Sequence, residues 1–138
     1  MGYEGRTQAE FLDQLEAARV ELLIDVRAVA ASRRPGFSKT ALAGGLAERG
    51  IAYLHLRPLG TPPKGREAAR AGRTAEMRAI YADQLDTPEA LVAFEQALEA
   101  AETRRAALLC YELEAPVCHR AMLAERMVDR AGYEVVDL

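Results

Sequence analysis

The chain has 138 residues, of which half are apolar and 28% are charged, as expected for one globular domain, residues 1–138, with a real core. No apolar run approaches the roughly 18 residues of a membrane span, the first residues lack the basic and apolar regions of a signal peptide, and two cysteines are too few for a disulfide framework. We therefore expect a cytoplasmic protein that contacts no membrane.

The net charge of −3 hides an uneven distribution. Residues 27–78 carry eleven Lys or Arg against three acids, a local balance of +8, so the rest of the chain carries −11. Such a basic segment fits a surface that meets an anionic partner, such as a nucleotide or a nucleic acid. The alternative is that these arginines are solvated helix faces, since the whole chain has sixteen Arg and two Lys.

The first half of the chain alternates helix and strand signals. Thr7 followed by Glu10 is a capping-box pattern that predicts a helix over 7–20. The run 21–29 reads as a buried strand, Ser38 begins a helix that Gly50 ends, and 51–56 reads as a second strand.

The second half continues this alternation after residues 57–74, which carry three prolines and three glycines and predict a long loop. Helices are expected over 75–85 and from Thr87, with Pro88 at the first helical position. A third strand over 106–112, a helix opened near Pro116 and ended by Gly132, and a last strand over 133–138 follow. The alternation predicts an α/β fold, a three-layer sandwich around a mostly parallel sheet.

Unusual polar residues fall at the carboxyl ends of these strands, where open α/β sheets bind ligands. Asp25 and Arg27 end the first strand, His55 ends the second, and Cys110 and Glu112 end the third. Each has a structural alternative: Asp25 could pair with Arg27, and Cys110 could be a small buried hydrophobe.

The stretch 116–120 places Cys118, His119 and Arg120 near the start of a predicted helix. Helix amino ends attract anions and lower the pKa of a thiol, and Arg can bind phosphate through two parallel hydrogen bonds. Alternatively, Arg120 makes an internal ion pair. Cys110, Glu112, Cys118 and His119 do not have a familiar zinc spacing, so we expect no metal and no cofactor.

The loop after the first strand brings basic side chains to the same edge. It carries Ser32, Arg33, Arg34 and Lys39. It also carries Phe37, which could stack on a base or sugar or fold back onto the core. The predicted catalytic residues are Glu112, Cys118, His119 and Asp25, and Cys110 is a candidate thiol. The predicted substrate-binding residues are Arg27, Ser32, Arg33, Phe37, Lys39, His55 and Arg120.

These stretches together resemble a prokaryotic family catalogued as domain of unknown function 488. The residues that carry the resemblance lie in LIDVRAVAASRRPGFSKTAL, GIAYLHLRPLG and LLCYELEAPVCHR. The resemblance implies an α/β fold with no established reaction. It also implies a first strand before Gly2 that is absent or shortened here, which would leave an open sheet edge that a homodimer could cover. The family's recurring residues map onto Asp25, Arg27, Ser32, Arg33, Phe37, Lys39, Tyr53, Leu59, Gly60, Cys110, Glu112, Cys118, His119 and Arg120.

Three functions remain open from the sequence. The first is an enzyme that acts on a phosphate-bearing substrate, with Glu112 or His119 as general acid or base. The second is a non-catalytic module that binds nucleic acid or a partner through the basic surface. The third is rhodanese-like sulfur transfer, although the residues after Cys110 are not the glycine- and arginine-rich loop of that class.

Overall fold

The structure is a computed structural model that describes residues 1–110 and 119–132. In this part of the chain, helices and strands alternate as the sequence predicts. None of the described helices is long and apolar enough to cross a membrane. The elements are α1 Gln8–Ala17, β1 Leu22–Asp25, α2 Lys39–Glu48, β2 Ala52–His55, a 3₁₀ turn Arg57–Leu59, α3 Pro63–Arg70, α4 Thr74–Leu85, α5 Pro88–Glu102, β3 Ala106–Leu109 and α6 Arg120–Ala131.

The sheet is parallel and is built around β1. The strand order is β2-β1-β3, and Asp25 lies opposite His55 on β2 and opposite Leu109 on β3. All four residues of β1 are buried, because a central parallel strand is covered by helices on both faces. The predicted α/β class with a parallel sheet is confirmed.

Alternate residues of β1 belong to two separate cores, which makes the fold a three-layer sandwich. Leu23 packs in a cluster with apolar residues of α1 and α2. Leu22 and Ile24 pack in the other cluster, with residues of α3, α4, α5 and α6. The period-2 alternation of a strand therefore divides the helices into two layers.

The amino-terminal residues lie beside β3. Gly2 forms a single parallel bridge with Cys110, and the Cys110 amide donates a hydrogen bond to the Met1 carbonyl over 3.2 Å. The amino-terminal residues thus add one bridge to the sheet on the outer side of β3. The predicted last strand, 133–138, lies outside the described residues, and the homodimer stays a prediction.

The prediction of a long loop over 57–74 is wrong in part. This segment contains the 3₁₀ turn and all of α3. Pro62 is the extended N-cap residue and Pro63 occupies the first turn of α3, where a proline costs no hydrogen bond. The prolines that were interpreted as loop signals therefore mark a helix start.

The start of α6 also differs from the prediction. We expected the helix to open near Pro116, but α6 begins at Arg120, with His119 as the residue before it. Pro116 itself lies outside the described residues. The helix ends at Gly132, as predicted, with φ of 72°, in the left-handed region that glycine adopts without strain.

The loops that follow β1 and β2 touch through their backbones at Gly60. A Cβ atom added to Gly60 would lie 2.3 Å from the Ala28 nitrogen and 2.4 Å from its Cα. The Gly60 backbone, with φ of −85° and ψ of 160°, is open to any residue, so the requirement for glycine is purely steric. This contact fixes the two loops against each other at the carboxyl edge of the sheet.

We expect Gly60→Ala to destabilise the fold by about 1–3 kcal/mol, the usual cost of overpacking. Gly44→Ala is the matched control, because a Cβ at Gly44, inside α2, meets nothing within 4 Å. That change should stabilise the protein by about 0.5–1 kcal/mol. Urea unfolding of the three proteins measures both effects, and equal stability of the two variants would show that the loops do not meet at Gly60.

Candidate functional site

The structure brings several predicted site residues together at the carboxyl edge of the sheet. Asp25 ends β1 beside His55, which ends β2, and Cys110 follows β3. His119 and Arg120 reach the same edge from the start of α6, because the His119 ring contacts the Val26 carbonyl just beyond β1. Glu112 and Cys118 lie outside the described residues.

Asp25 and Arg27 form a buried ion pair. The Asp25 side chain is fully buried and that of Arg27 is 6% exposed. Arg27 Nε donates to Asp25 Oδ1 over 2.9 Å, and Nη2 donates to Oδ2 over 2.7 Å. The Arg27 backbone amide donates to the same Oδ1 over 3.1 Å. This fork-to-fork geometry is the strongest form of an ion pair.

Further groups complete the hydrogen bonding of this pair. Tyr53 Oη donates to Asp25 Oδ2 over 2.5 Å. Arg27 Nη1 donates to the Phe37 carbonyl over 2.7 Å and to Tyr3 Oη over 3.4 Å. The guanidinium carbon also lies 5.4 Å from the centre of the Tyr3 ring, within the range of a cation–π contact.

In this cluster the pKa values of Tyr53 and Arg27 are both raised, so Tyr53 stays neutral and Arg27 stays charged. Burial raises the pKa of Tyr53, and its hydrogen bond to Asp25 raises it further. Burial alone would lower the pKa of Arg27, but the hydrogen bond and charge of Asp25 outweigh this effect and raise it. Because both Asp25 oxygens already accept bonds, this carboxylate serves the scaffold, and a direct catalytic role gains no support from its geometry.

The two histidines bind consecutive carbonyl groups of the chain just after β1. His119 Nε2 lies 3.0 Å from the Val26 carbonyl, and His55 Nε2 lies 2.8 Å from the Arg27 carbonyl. A carbonyl oxygen can only accept, so each neutral ring carries its proton on Nε2 and has its lone pair on Nδ1. The histidines thereby fix the path of the chain that leads into the loop 28–38.

His119 lies in an environment that favours its neutral form. Burial lowers its pKa most, the bond to Val26 and the charge of Asp25 raise it, and the charge of Arg120 lowers it, so that the pKa falls to about 4. The Tyr81 ring meets the imidazole edge to face, with centroids 5.0 Å apart. A neutral His119 cannot act as an imidazolium acid at neutral pH.

Arg120 and Cys110 are both buried, at 6% and 1% exposure. Arg120 Nη1 donates to Cys110 Sγ over 3.0 Å. Cys110 is therefore not an accessible thiol nucleophile, and Arg120 points part of its guanidinium into the protein.

The side chains that follow β1 differ in burial: some are exposed to solvent and one lies in the core. Arg33 and Lys39 are exposed and Ser32 is half-buried, whereas Phe37 is fully buried. Phe37 stacks on Tyr3 with centroids 4.5 Å apart and meets Phe11 edge to face. The expectation that Phe37 stacks on a ligand is therefore wrong, and its alternative, folding back onto the core, holds.

Metal binding gains no support from the residues described. Among 1–110 and 119–132, no three His, Cys, Asp or Glu side chains come together in a way that could hold a metal ion.

Two residues of the hydrogen-bond network around Asp25 and Arg27 were not predicted as site residues from the sequence. The sequence indicated Tyr53 only through the family resemblance and without a role, and it gave Tyr3 no role. Tyr53 and His55 are two apart on β2, so both face the same side of the sheet beside Asp25, which is a signal that the sequence contains. The contact of Tyr3 depends on the path of the amino terminus, and no local pattern reports it.

Comparison with known proteins identifies the family. The model of a family described as "Domain of unknown function DUF488" matches residues 7–127, which is most of the chain. The resemblance that the motifs indicate is thereby confirmed. No curated protein and no solved structure matches the chain.

We expect Asp25→Asn to destabilise the protein by about 3–5 kcal/mol, since it leaves the Arg27 charge buried without its counter-ion. Asp13→Asn is the matched control, because Asp13 pairs with Arg49 at the surface and its side chain is 69% exposed. That pair is screened by solvent, so the control should unfold at nearly the urea concentration of the parent. Similar losses in the two variants would contradict a structural role for the buried pair.

The low pKa of His119 predicts a pH-dependent stability. Between pH 6.5, the ordinary value, and about 4, the unfolded chain binds a proton that the folded chain refuses. The free energy of unfolding should therefore fall as the pH falls through this window, by about 1.4 kcal/mol per pH unit at most. His119→Gln, whose amide can still donate to Val26, should remove this part of the loss. Urea unfolding at pH 7.5 and pH 5 measures it, and equal losses in parent and variant would refute a neutral His119.

Proposed function

We propose that this chain, which belongs to the DUF488 family, binds a phosphate-bearing ligand, a nucleotide or a nucleic acid, at the carboxyl edge of its sheet. The observation that carries the proposal is the pair Arg33 and Lys39. Both side chains are exposed, and neither makes an ion pair with any of the residues that the structure describes. Two cations without counter-ions, one on the loop after β1 and one at the first residue of α2, attract an anion.

The loop that carries these cations is held in place from within. Ser38 Oγ accepts from the Ser32 amide and donates to the Ser32 carbonyl, each over 3.1 Å. The Lys39 amide donates to the Ala30 carbonyl over 2.8 Å, and the buried Arg27 guanidinium donates to the Phe37 carbonyl. A loop that is ordered before binding loses less conformational entropy when the ligand arrives.

The neighbouring loop adds to the positive charge. The contact of Gly60 with Ala28 brings the chain that enters α3 against the loop after β1. Lys64 lies exposed in the first turn of α3, and Arg57 is exposed in the 3₁₀ turn before it. The basic balance of residues 27–78 thus includes the two loops that follow β1 and β2, which supports an anionic ligand larger than a single ion.

A second candidate function is catalysis on this ligand, and one observation favours it. His55 is half-buried, and its Nε2 is held by the Arg27 carbonyl, so Nδ1 carries the lone pair. A histidine oriented through one nitrogen can accept a proton through the other. In this proposal His55, rather than Asp25 or His119, is the general base among the described residues.

The test of binding is a titration with fluorescent single-stranded RNA, single-stranded DNA, duplex DNA and a labelled nucleotide at several salt concentrations. Arg33→Gln/Lys39→Gln should weaken binding of the preferred probe about tenfold or more. For a nucleic acid, it should reduce the slope of log affinity against log salt by about 1.5, the contribution of two phosphate contacts. The matched control is Arg104→Gln/Arg105→Gln, which removes the same charge just before β3, at the opposite edge of the sheet.

The outcomes separate the candidates. If no probe binds the parent protein at low salt, or if both double variants weaken binding equally, the edge is not the ligand site. The bound probe is also analysed for cleavage or phosphate release. Turnover that stops in His55→Gln while binding persists supports catalysis, and binding without turnover supports the non-catalytic module.

A further inference from the structure

A cavity of about 350 Å³ lies at the amino end of α1, between that helix and the loop after β1. Its volume falls at the lower end of the range found for small-ligand sites. Of the residues that line it, the sequence indicated only Arg34 as part of a site, among the basic residues of the loop after β1. The lining residues are Arg6, Thr7, Gln8, Arg34, Pro35 and Gly36.

The two arginines of this cavity keep much of their hydrogen-bonding capacity. Arg6 Nη1 donates to Gln14 Oε1, and Arg34 Nη2 donates to the Arg6 carbonyl. Neither arginine forms an ion pair with a carboxylate in the described part of the chain. Since each guanidinium has five N–H donors, most of them have no protein acceptor among these residues.

Arg34 gives a second and independent sign of a missing ligand. Its Nε atom is buried and has no hydrogen-bond partner within the described residues. A buried N–H group of a charged side chain without an acceptor costs free energy, so native proteins rarely leave one. Arg34 lines the cavity, so a ligand that draws its side chain towards the cavity would give this N–H group an acceptor.

The amino end of α1, which lines the cavity through Thr7 and Gln8, offers backbone amides as further donors. Thr7 accepts a hydrogen bond from the Glu10 amide, so the cap uses the third amide of the helix. The amides of Gln8 and Ala9 have no intrahelical acceptor, as at any helix start. They add to the positive end of the helix dipole, which favours an anion.

The opposite wall is shaped by Gly36. Its φ of 85° lies in the left-handed region, and an added Cβ would lie 2.8 Å from Gln8 Cβ. Gln8 Nε2 donates to the Gly36 carbonyl over 2.9 Å and to the Ala41 carbonyl over 3.2 Å. The wall is therefore held by hydrogen bonds in the absence of a ligand, and the glycine allows the close approach.

We propose that this cavity binds a phosphate group, either free phosphate or the phosphoryl group of a phosphate monoester, between the guanidinium groups of Arg6 and Arg34. A tetrahedral dianion directs its oxygens to several sides, so it can accept from both arginines and from a helix amide at once. The site uses neither Arg33 nor Lys39, so it stands independently of the function proposed above.

The experiment is a titration of the isotope-labelled protein with inorganic phosphate in chloride of matched ionic strength, followed by amide NMR. The amide resonances of Gln8 and Ala9 should shift with saturation. Arg34→Gln should raise the dissociation constant about tenfold or more, since a charge-assisted hydrogen bond is lost. Arg34→Lys, which keeps the charge but not the planar fork, should have an intermediate effect.

Controls make the result decisive. Arg104→Gln, far along the chain before β3, should leave the dissociation constant unchanged. Arg6→Gln provides a second test if Arg34→Gln does not fold. Binding of a phosphate monoester at least as tight as inorganic phosphate identifies the phosphoryl group of a larger ligand; a preference for inorganic phosphate identifies the free ion. The proposal is overturned if Gln8 and Ala9 do not respond, if acetate gives the same response, or if both arginine variants bind like the parent.

Discussion

The buried ion pair between Asp25 and Arg27 is the interaction on which the rest of this edge depends. Removing two charges from water is costly, and such a pair persists only where every hydrogen-bonding group is satisfied. Here the amino terminus, β2 and the loop after β1 each supply a partner, through Tyr3, Tyr53 and the Phe37 carbonyl. Three segments distant in sequence are thus fixed by one pair at the end of β1.

This arrangement leaves few of the polar groups at the strand ends available to a ligand, because most of them bond to one another or to the backbone. Arg27 was expected to bind a ligand and Asp25 to take part in catalysis, yet each uses its charge on the other. His119 is neutral and occupied with the Val26 carbonyl. Asp25, Arg27 and His119 therefore support the loop after β1. The groups that remain for the proposed ligand are the cations beside that loop and the second ring nitrogen of His55 at the end of β2.

The sequence was sufficient for the parts of the fold that depend on local periodicity. The apolar run of β1, the capping signal at Thr7 and the proline after Thr87 each report their element because the cause is local. The same is true of the polar residues that meet at the carboxyl edge, since parallel strands end together. Phe37, by contrast, follows a proline and a glycine on a basic loop, and only the positions of Tyr3 and Phe11 decide that its ring turns inward. Pro62 and Pro63 carry an ambiguous signal, because proline is common both in loops and in the first turn of a helix.

The loop 28–38 joins the two anion sites proposed above, and its anchoring explains how one segment can serve both. The neighbours Arg33 and Arg34 lie in a bend of this loop and differ in burial: the first is exposed, whereas the second is half-buried and its Nε atom is enclosed. Ser32 and Ser38 close the loop on itself, and Arg27 holds its far end. Because the backbone is fixed during folding, neither arginine depends on a ligand to set its position. A change that releases the anchor, such as loss of the Asp25 charge, would therefore weaken both sites together, whereas a change at either arginine would weaken only its own.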